Sequence, residues 1–135
     1  MKIGDSYEIS KKVTEEDVRK FIEISGDDNP VHVSEEFARR TMFKGRIAHG
    51  LIPLSLVSAA LTKLMGPGNV WLSQTVKFNY PVRIGDVISV RITVTKIEEN
   101  GVHMFRSEGR NQKGKMVFEG ESTSRVMFIK EREVG

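Results

Sequence analysis

The sequence predicts an α+β domain in which an antiparallel β-sheet wraps around one long apolar helix. Three observations predict it. Leu51, Leu54, Val57, Leu61 and Leu64 recur at helical spacing, and Ile52, Leu56, Ala59 and Ala60 extend apolarity around the same segment. Gly66-Pro67-Gly68 then stops that helix. Beyond it the pattern changes to period two, most clearly in Ile88-Ser89-Val90-Arg91-Ile92-Thr93-Val94.

Taken in order, the first ten residues predict a short strand or extended arm. Thr14-Glu15-Glu16-Asp17 has the form of a capping box, with Asp in place of the usual Glu. Val18, Phe21, Ile22 and Ser25 continue at helical spacing, and Gly26 ends the helix as a residue that tolerates positive φ. Residues 27–30 are turn chemistry: Asp and Asn side chains bond nearby amides, and Pro30 fixes the exit. Ser34, followed by Glu35 and Glu36, opens a short second helix through Arg40, and 43–48 is a loop containing Gly45.

Residues 49–65 read as the central helix. Pro53 fits because it lies in the first turn, where its missing N–H costs nothing. A helix apolar almost all round is predicted to be buried. About four antiparallel strands follow at 70–80, 87–98, 102–111 and 115–129. Pro81, Gly85-Asp86, Asn100-Gly101 and Gly114 punctuate them, and Asn-Gly is a strong hairpin signal.

The 135 residues suit one domain spanning 1–135, with 39% hydrophobic and 29% charged residues. No run approaches the ~20 apolar residues needed to span a bilayer, and the N-terminus lacks a signal pattern. Zero cysteines exclude disulfides and thiolate metal sites, in keeping with a cytoplasmic protein. The formal charge of +3 comes from scattered basic residues with no aromatic-basic interleaving, so neither a nucleic-acid nor a membrane partner is expected.

The chemistry concentrates in Gly26-Asp27-Asp28-Asn29-Pro30-Val31-His32 and in His49-Gly50. Asp27 and His32 stand five residues apart across a Pro-stiffened turn. Gly50 offers a backbone amide, clear of any side chain, at a helix N-terminus. An acid/base pair beside such a donor suits water chemistry at an activated carbonyl compound. Each residue alone also reads as structural: Asp27 as a helix-stop carboxylate, His32 as a hydrogen-bonded core histidine. His49 is expected to brace the loop or cap the helix, and His103 to lie at the surface. Asp27, His32 and His49 match no familiar metal-ligand spacing, so no metal is expected. The spaced carboxylates of a calcium loop and any Gly-rich phosphate loop are missing. A helix beginning at Gly50 is expected to accept Val at about 1 kcal/mol or less.

Three elements resemble the MaoC-like dehydratases of the hot-dog fold, specifically the R-specific enoyl-CoA hydratases. They are Gly26-Asp27-Asp28-Asn29-Pro30-Val31-His32, then Ile47-Ala48-His49-Gly50, then Val76-Lys77-Phe78-Asn79-Tyr80-Pro81-Val82 with Gly85-Asp86. The resemblance implies that Asp27 and His32 are the catalytic pair and that the Gly50 N–H receives the thioester oxygen. It implies that Asn29 sets the loop and substrate contacts, and that Ser58 lines the acyl pocket. The implied reaction is reversible hydration of trans-2-enoyl-CoA to (R)-3-hydroxyacyl-CoA with no cofactor, CoA entering as part of the substrate. A 3-hydroxyacyl-ACP dehydratase, a hot-dog thioesterase and a non-catalytic acyl-CoA-binding protein are the competing readings. The resemblance also implies a homodimer or higher homo-oligomer.

Overall fold

The computed structural model describes residues 1–127. Its elements are β1 (Ser6–Lys12), α1 (Glu15–Ser25), α2 (Pro30–Val33), α3 (Glu35–Arg39), α4 (Leu51–Met65), β2 (Asn69–Phe78), β3 (Val87–Ile97), β4 (His103–Arg110) and β5 (Met116–Val126). The strands form one antiparallel sheet in the order β1-β3-β4-β5-β2, curled around α4 as expected of a hot-dog fold.

The N-terminal arm adds a fifth strand to the four expected. Ser6 to Lys12 pair with β3, Ile9 opposite Val90. Tyr7 and Ile9 turn toward the core, and Val13 is fully buried. The expected last strand, 115–129, is present as Met116–Val126, and its residues 128 and 129 lie outside the described residues.

Local signals account for the boundaries. Thr14 and Asp17 form the reciprocal capping box of α1, and Gly26 closes the helix at φ 74°. The Asn100-Gly101 hairpin joins β3 to β4, with Gly101 at φ 88°. Helix α4 begins two residues later than expected, with Gly50 as its N-cap.

The core lies between α4 and the sheet. Leu54, Val57, Ala60 and Leu61 meet Ile88, Val90, Ile92, Phe105 and Phe118, all essentially inaccessible. Burial all round the helix is not observed. Leu51, Ser55, Ser58 and Thr62 form an exposed stripe, because a single sheet covers only one side of α4. His103, expected at the surface, is half-buried beside Phe105.

Candidate active site

Two adjoining loops build the site. In the first, Ser25 Oγ donates to the Phe21 carbonyl at 2.7 Å and accepts the Asp27 N–H at 3.1 Å. Asp27 Oδ1 accepts from the Asn29 N–H at 3.3 Å. Asn29 Oδ1 then caps α2 by accepting the Val31 N–H at 3.1 Å, with Pro30 at the first helical position. The expected turn therefore runs into one helical turn, which carries His32 inward to 8% exposure. Asp27 stays at the surface end of the same loop, its side chain 54% exposed.

The second loop, ahead of α4, holds the first in place. The Ile47 N–H donates to the Val31 carbonyl at 3.2 Å, and Arg46 Nε donates to the His32 carbonyl at 2.7 Å. Arg46 also pairs with Glu15 of α1 at 3.0 Å. Underneath, the Ala48 N–H donates to the Val82 carbonyl at 2.7 Å, and Arg83 reaches the carbonyls of Gly45 (3.1 Å) and Phe43. Asp86 fixes Arg83 by accepting its N–H at 2.8 Å, while Gly85 takes φ 102°. The Pro-Val-x-x-Gly-Asp segment thus serves as a platform for the second loop.

His32 Nδ1 donates to the Ile47 carbonyl at 2.7 Å. A carbonyl only accepts, so this bond assigns the proton to Nδ1 and leaves the Nε2 lone pair available. Burial holds the His32 pKa below the ordinary histidine value; the Ile47 bond and Asp27 oppose that shift, and His49 and Arg46 reinforce it. His49 is 4% exposed and donates from Nε2 to the Asp27 carbonyl at 2.9 Å. Its ring lies against His32, centroids 3.8 Å apart, and against Phe21 at 4.6 Å. His49 therefore braces the loop, one of the two roles expected of it.

Gly50 lies beside these groups. Among the described residues its N–H meets no acceptor, and the Leu51 N–H likewise. The Ile52 N–H is already turned to His49 O at 3.1 Å, and Pro53 has none. Two free amides at the positive end of a 15-residue helix suit a developing oxyanion. A Cβ added at Gly50 would meet the Phe78 ring at 2.7 and 2.9 Å. The expected tolerance of Val at this position is therefore wrong: Phe78 from the end of β2 occupies the space that helix propensity leaves out of account.

Asp27, His32, His49 and Gly50 share the polar end of a cavity of about 400 Å³, whose walls include Phe21, Phe43, Phe78, Val82 and Phe118. The aromatic wall escaped sequence reading. Its legible signals are Phe78 and Tyr80 inside the Val76-to-Val82 motif. Asn29 caps α2 from an exposed position and does not line the cavity. Ser58 does not join the site. It sits on the exposed stripe of α4, about 12 Å along the axis from Gly50 at 1.5 Å per residue.

The ligand atoms of Asp27, His32 and His49 fall within 4.8 Å of one another, a proximity that their sequence spacing did not reveal. The set fits a metal poorly. The two imidazoles pack ring against ring, centroids 3.8 Å apart and planes tilted by 32°, whereas a zinc ion requires two in-plane lone pairs to converge at about 2 Å. A carboxylate, an imidazole lone pair and free amides around an apolar cavity suit proton transfer to and from a bound water instead.

The model of the MaoC-like domain matches residues 2–114. A protein of Rhodospirillum rubrum named (R)-specific enoyl-CoA hydratase is 42% identical over 128 residues, covering 93% of this chain and 88% of that protein. A Methylorubrum extorquens protein named 3-hydroxybutyryl-CoA dehydratase is 48% identical over 98 residues, 72% of this chain and 62% of that protein. Among solved structures, the (R)-hydratase from A. caviae involved in PHA biosynthesis superposes with a TM-score of 0.89 at 30% identity, covering 93% of this chain and 97% of that one. With the match running from the first strand through β4, the chain belongs to the MaoC-like domain family.

Proposed function

We propose that this protein is an R-specific enoyl-CoA hydratase, a hydro-lyase that reversibly adds water to trans-2-enoyl-CoA to give (R)-3-hydroxyacyl-CoA. The observation that carries the reading is the convergence of Asp27, the His32 Nε2 lone pair and the free Gly50 N–H at one end of an apolar cavity. The names of the relatives at 42% and 48% identity support the same reaction class.

In this mechanism one water is held between the Asp27 carboxylate and His32 Nε2. Its oxygen bonds to C3 as the C2=C3 double bond opens, one of its protons passes to the Asp27/His32 pair, and the pair returns a proton to C2 on the same face. Negative charge moves onto the thioester oxygen during the step. The Gly50 N–H and the α4 dipole stabilise it, a contribution of about 3 to 4 kcal/mol for one such donor. No cofactor takes part, and CoA enters with the substrate. Asn29 acts by shaping the loop. A single domain, a cytoplasmic setting and assembly as a homodimer complete the proposal. No helix among the described residues is long and apolar enough to cross a membrane.

The test is loss of the ultraviolet absorbance of the conjugated enoyl thioester, with chiral analysis of the product. Rapid loss giving the (R)-alcohol, unchanged by a chelator, is the expected result. Faster turnover on an ACP thioester would favour the 3-hydroxyacyl-ACP dehydratase reading, release of free thiol the thioesterase reading, and binding without turnover the non-catalytic reading.

A further inference from the structure

His49 is the buried titratable group that the proposed reaction leaves unused. It is 4% exposed, donates from Nε2 to the Asp27 backbone carbonyl at 2.9 Å, and presents its face to His32 with centroids 3.8 Å apart. Its other nitrogen, Nδ1, is buried with no hydrogen-bond partner. One side chain therefore touches both members of the acid/base pair, the first through its backbone and the second through its ring.

We propose that His49 is a positioning residue: an imidazole whose Nε2–H donates to the Asp27 carbonyl and whose ring backs His32, holding the loop and the ring in register and carrying no proton in the reaction. The geometry places the donated hydrogen on Nε2 and leaves Nδ1 without an acceptor. Protonation would place a hydrogen on Nδ1, where no acceptor waits, and an orphaned buried donor is unfavourable, the more so when it is charged. It would also put a cation against the His32 ring. The titratable groups against His49 are His32 from α2 and the Asp27 carboxylate, whose Oδ2 stands 4.0 Å from Nε2; α1 contributes only the Phe21 ring. The carboxylate is mostly solvent-exposed and faces the nitrogen that is already protonated, so it does nothing for Nδ1.

The same contacts explain why the residue is histidine. The bond to Asp27 needs a donor, and the contact with His32 and Phe21 needs a flat ring. Phe would keep the ring and lose the donor. Gln would keep a donor at similar reach and lose the ring. Each variant therefore removes one of the two functions.

The experiment has two arms. The first is imidazole 15N NMR of the wild-type protein from about pH 5.5 to 8. Where the rings are neutral, His49 should carry its single proton on Nε2 and His32 on Nδ1. This arm does not depend on the substrate, so it stands even where the hydratase reading fails. A neutral His49 that carries its proton on Nδ1 overturns the proposal. The second arm, which rests on the hydratase reading, is kcat and KM for a short enoyl-CoA with His49→Phe and His49→Gln. His49→Phe should lower kcat about 100-fold, the scale of a 1 Å misplacement of catalytic groups, with KM changed little. His49→Gln should recover about tenfold of that loss and leave the pH limb of kcat/KM in place. Wild-type kcat per folded molecule in His49→Phe refutes the positioning role. Abolition of activity in both variants together with a lost pH limb shows that His49 carries a proton, and refutes it equally. Inactivity of the wild type on every enoyl thioester tells against the hydratase reading alone. Should His49→Phe not fold, His49→Gln and the NMR arm decide.

Discussion

Replacing Gly50 separates two demands that the structure places on one residue. In Gly50→Ala the new Cβ would lie 2.7 Å from Phe78 Cε1 and 2.9 Å from Cδ1, closer than side chains approach. Phe78 is 52% exposed, so its ring has room to swing outward. The stability cost therefore falls near the lower end of the 1 to 3 kcal/mol typical of overpacking. Loss of Gly at an N-cap adds a few tenths of a kcal/mol or more. A total of about 1 to 2 kcal/mol leaves most of the protein folded. Activity should fall much further, by about 100-fold, because the methyl intrudes on the path to the Gly50 amide. The assay is kcat/KM on a short enoyl-CoA beside a denaturant midpoint. Adding Phe78→Ala makes room for the methyl. The double variant should regain the stability attributable to the clash, a coupling of about 0.5 to 3 kcal/mol, without regaining the rate. If the double variant recovers wild-type kcat/KM, Gly50 serves only to admit the Phe78 ring, and the oxyanion assignment is wrong. Wild-type activity in Gly50→Ala alone would refute that assignment too.

Asp27→Asn keeps the Asx turn to the Asn29 N–H but cannot exchange a proton, so turnover should drop by 100- to 10,000-fold, on the order seen for general acid–base groups; circular dichroism checks that the fold survives, and an active variant removes Asp27 from the mechanism. His32→Gln should lose activity comparably with KM little changed, whereas a variant that is unstable yet active per folded molecule would make His32 structural. The His32 pKa lies below its unfolded value of about 6.5. The unfolded chain therefore binds the proton more readily, and the stability this residue contributes is complete above about pH 6.5 and is lost as pH falls toward the folded value. The acid limb of kcat/KM should accordingly lie below pH 6.5, and a limb above it would contradict the buried neutral base. Ser58→Ala should leave kcat/KM within about twofold in the single-chain geometry, since Ser58 stands outside the cavity; a loss of 100-fold would restore it to the site.

Most of the fold was legible because local chemistry and tertiary structure agree. The Thr14–Asp17 box, Gly26, the Asn100-Gly101 hairpin and the Gly66 stop each need only their own neighbours. The arm was ambiguous because a single amphipathic strand carries no record of its partner. Ser6–Lys12 becomes a strand only when β3 offers Val87 to Thr93 from far along the chain. Helix α4 was misjudged for a related reason. Ala59 and Ala60 raise its apolarity all round, but burial depends on what covers each face, and one sheet covers one face.

The loop from Asp27 to His32 divides in the same way. Asp27, Asn29 and Pro30 were readable because Asx turns and helix capping are short-range. The direction of His32 was not, because it depends on the Ile47 carbonyl, which reaches Nδ1 from fifteen residues away. That single bond changes what the pair can do. With its proton held on Nδ1, neutral His32 presents a lone pair toward the cavity and is equipped to accept a proton from water. Residue types alone left the base and the acid unassigned between Asp27 and His32. In the proposed mechanism this tautomer equips His32 in its resting form to accept a proton, with Asp27 as its partner in holding the water and exchanging protons. His49 enforces both halves of this arrangement from behind, and a backbone carbonyl and a ring face are partners that no residue spacing encodes.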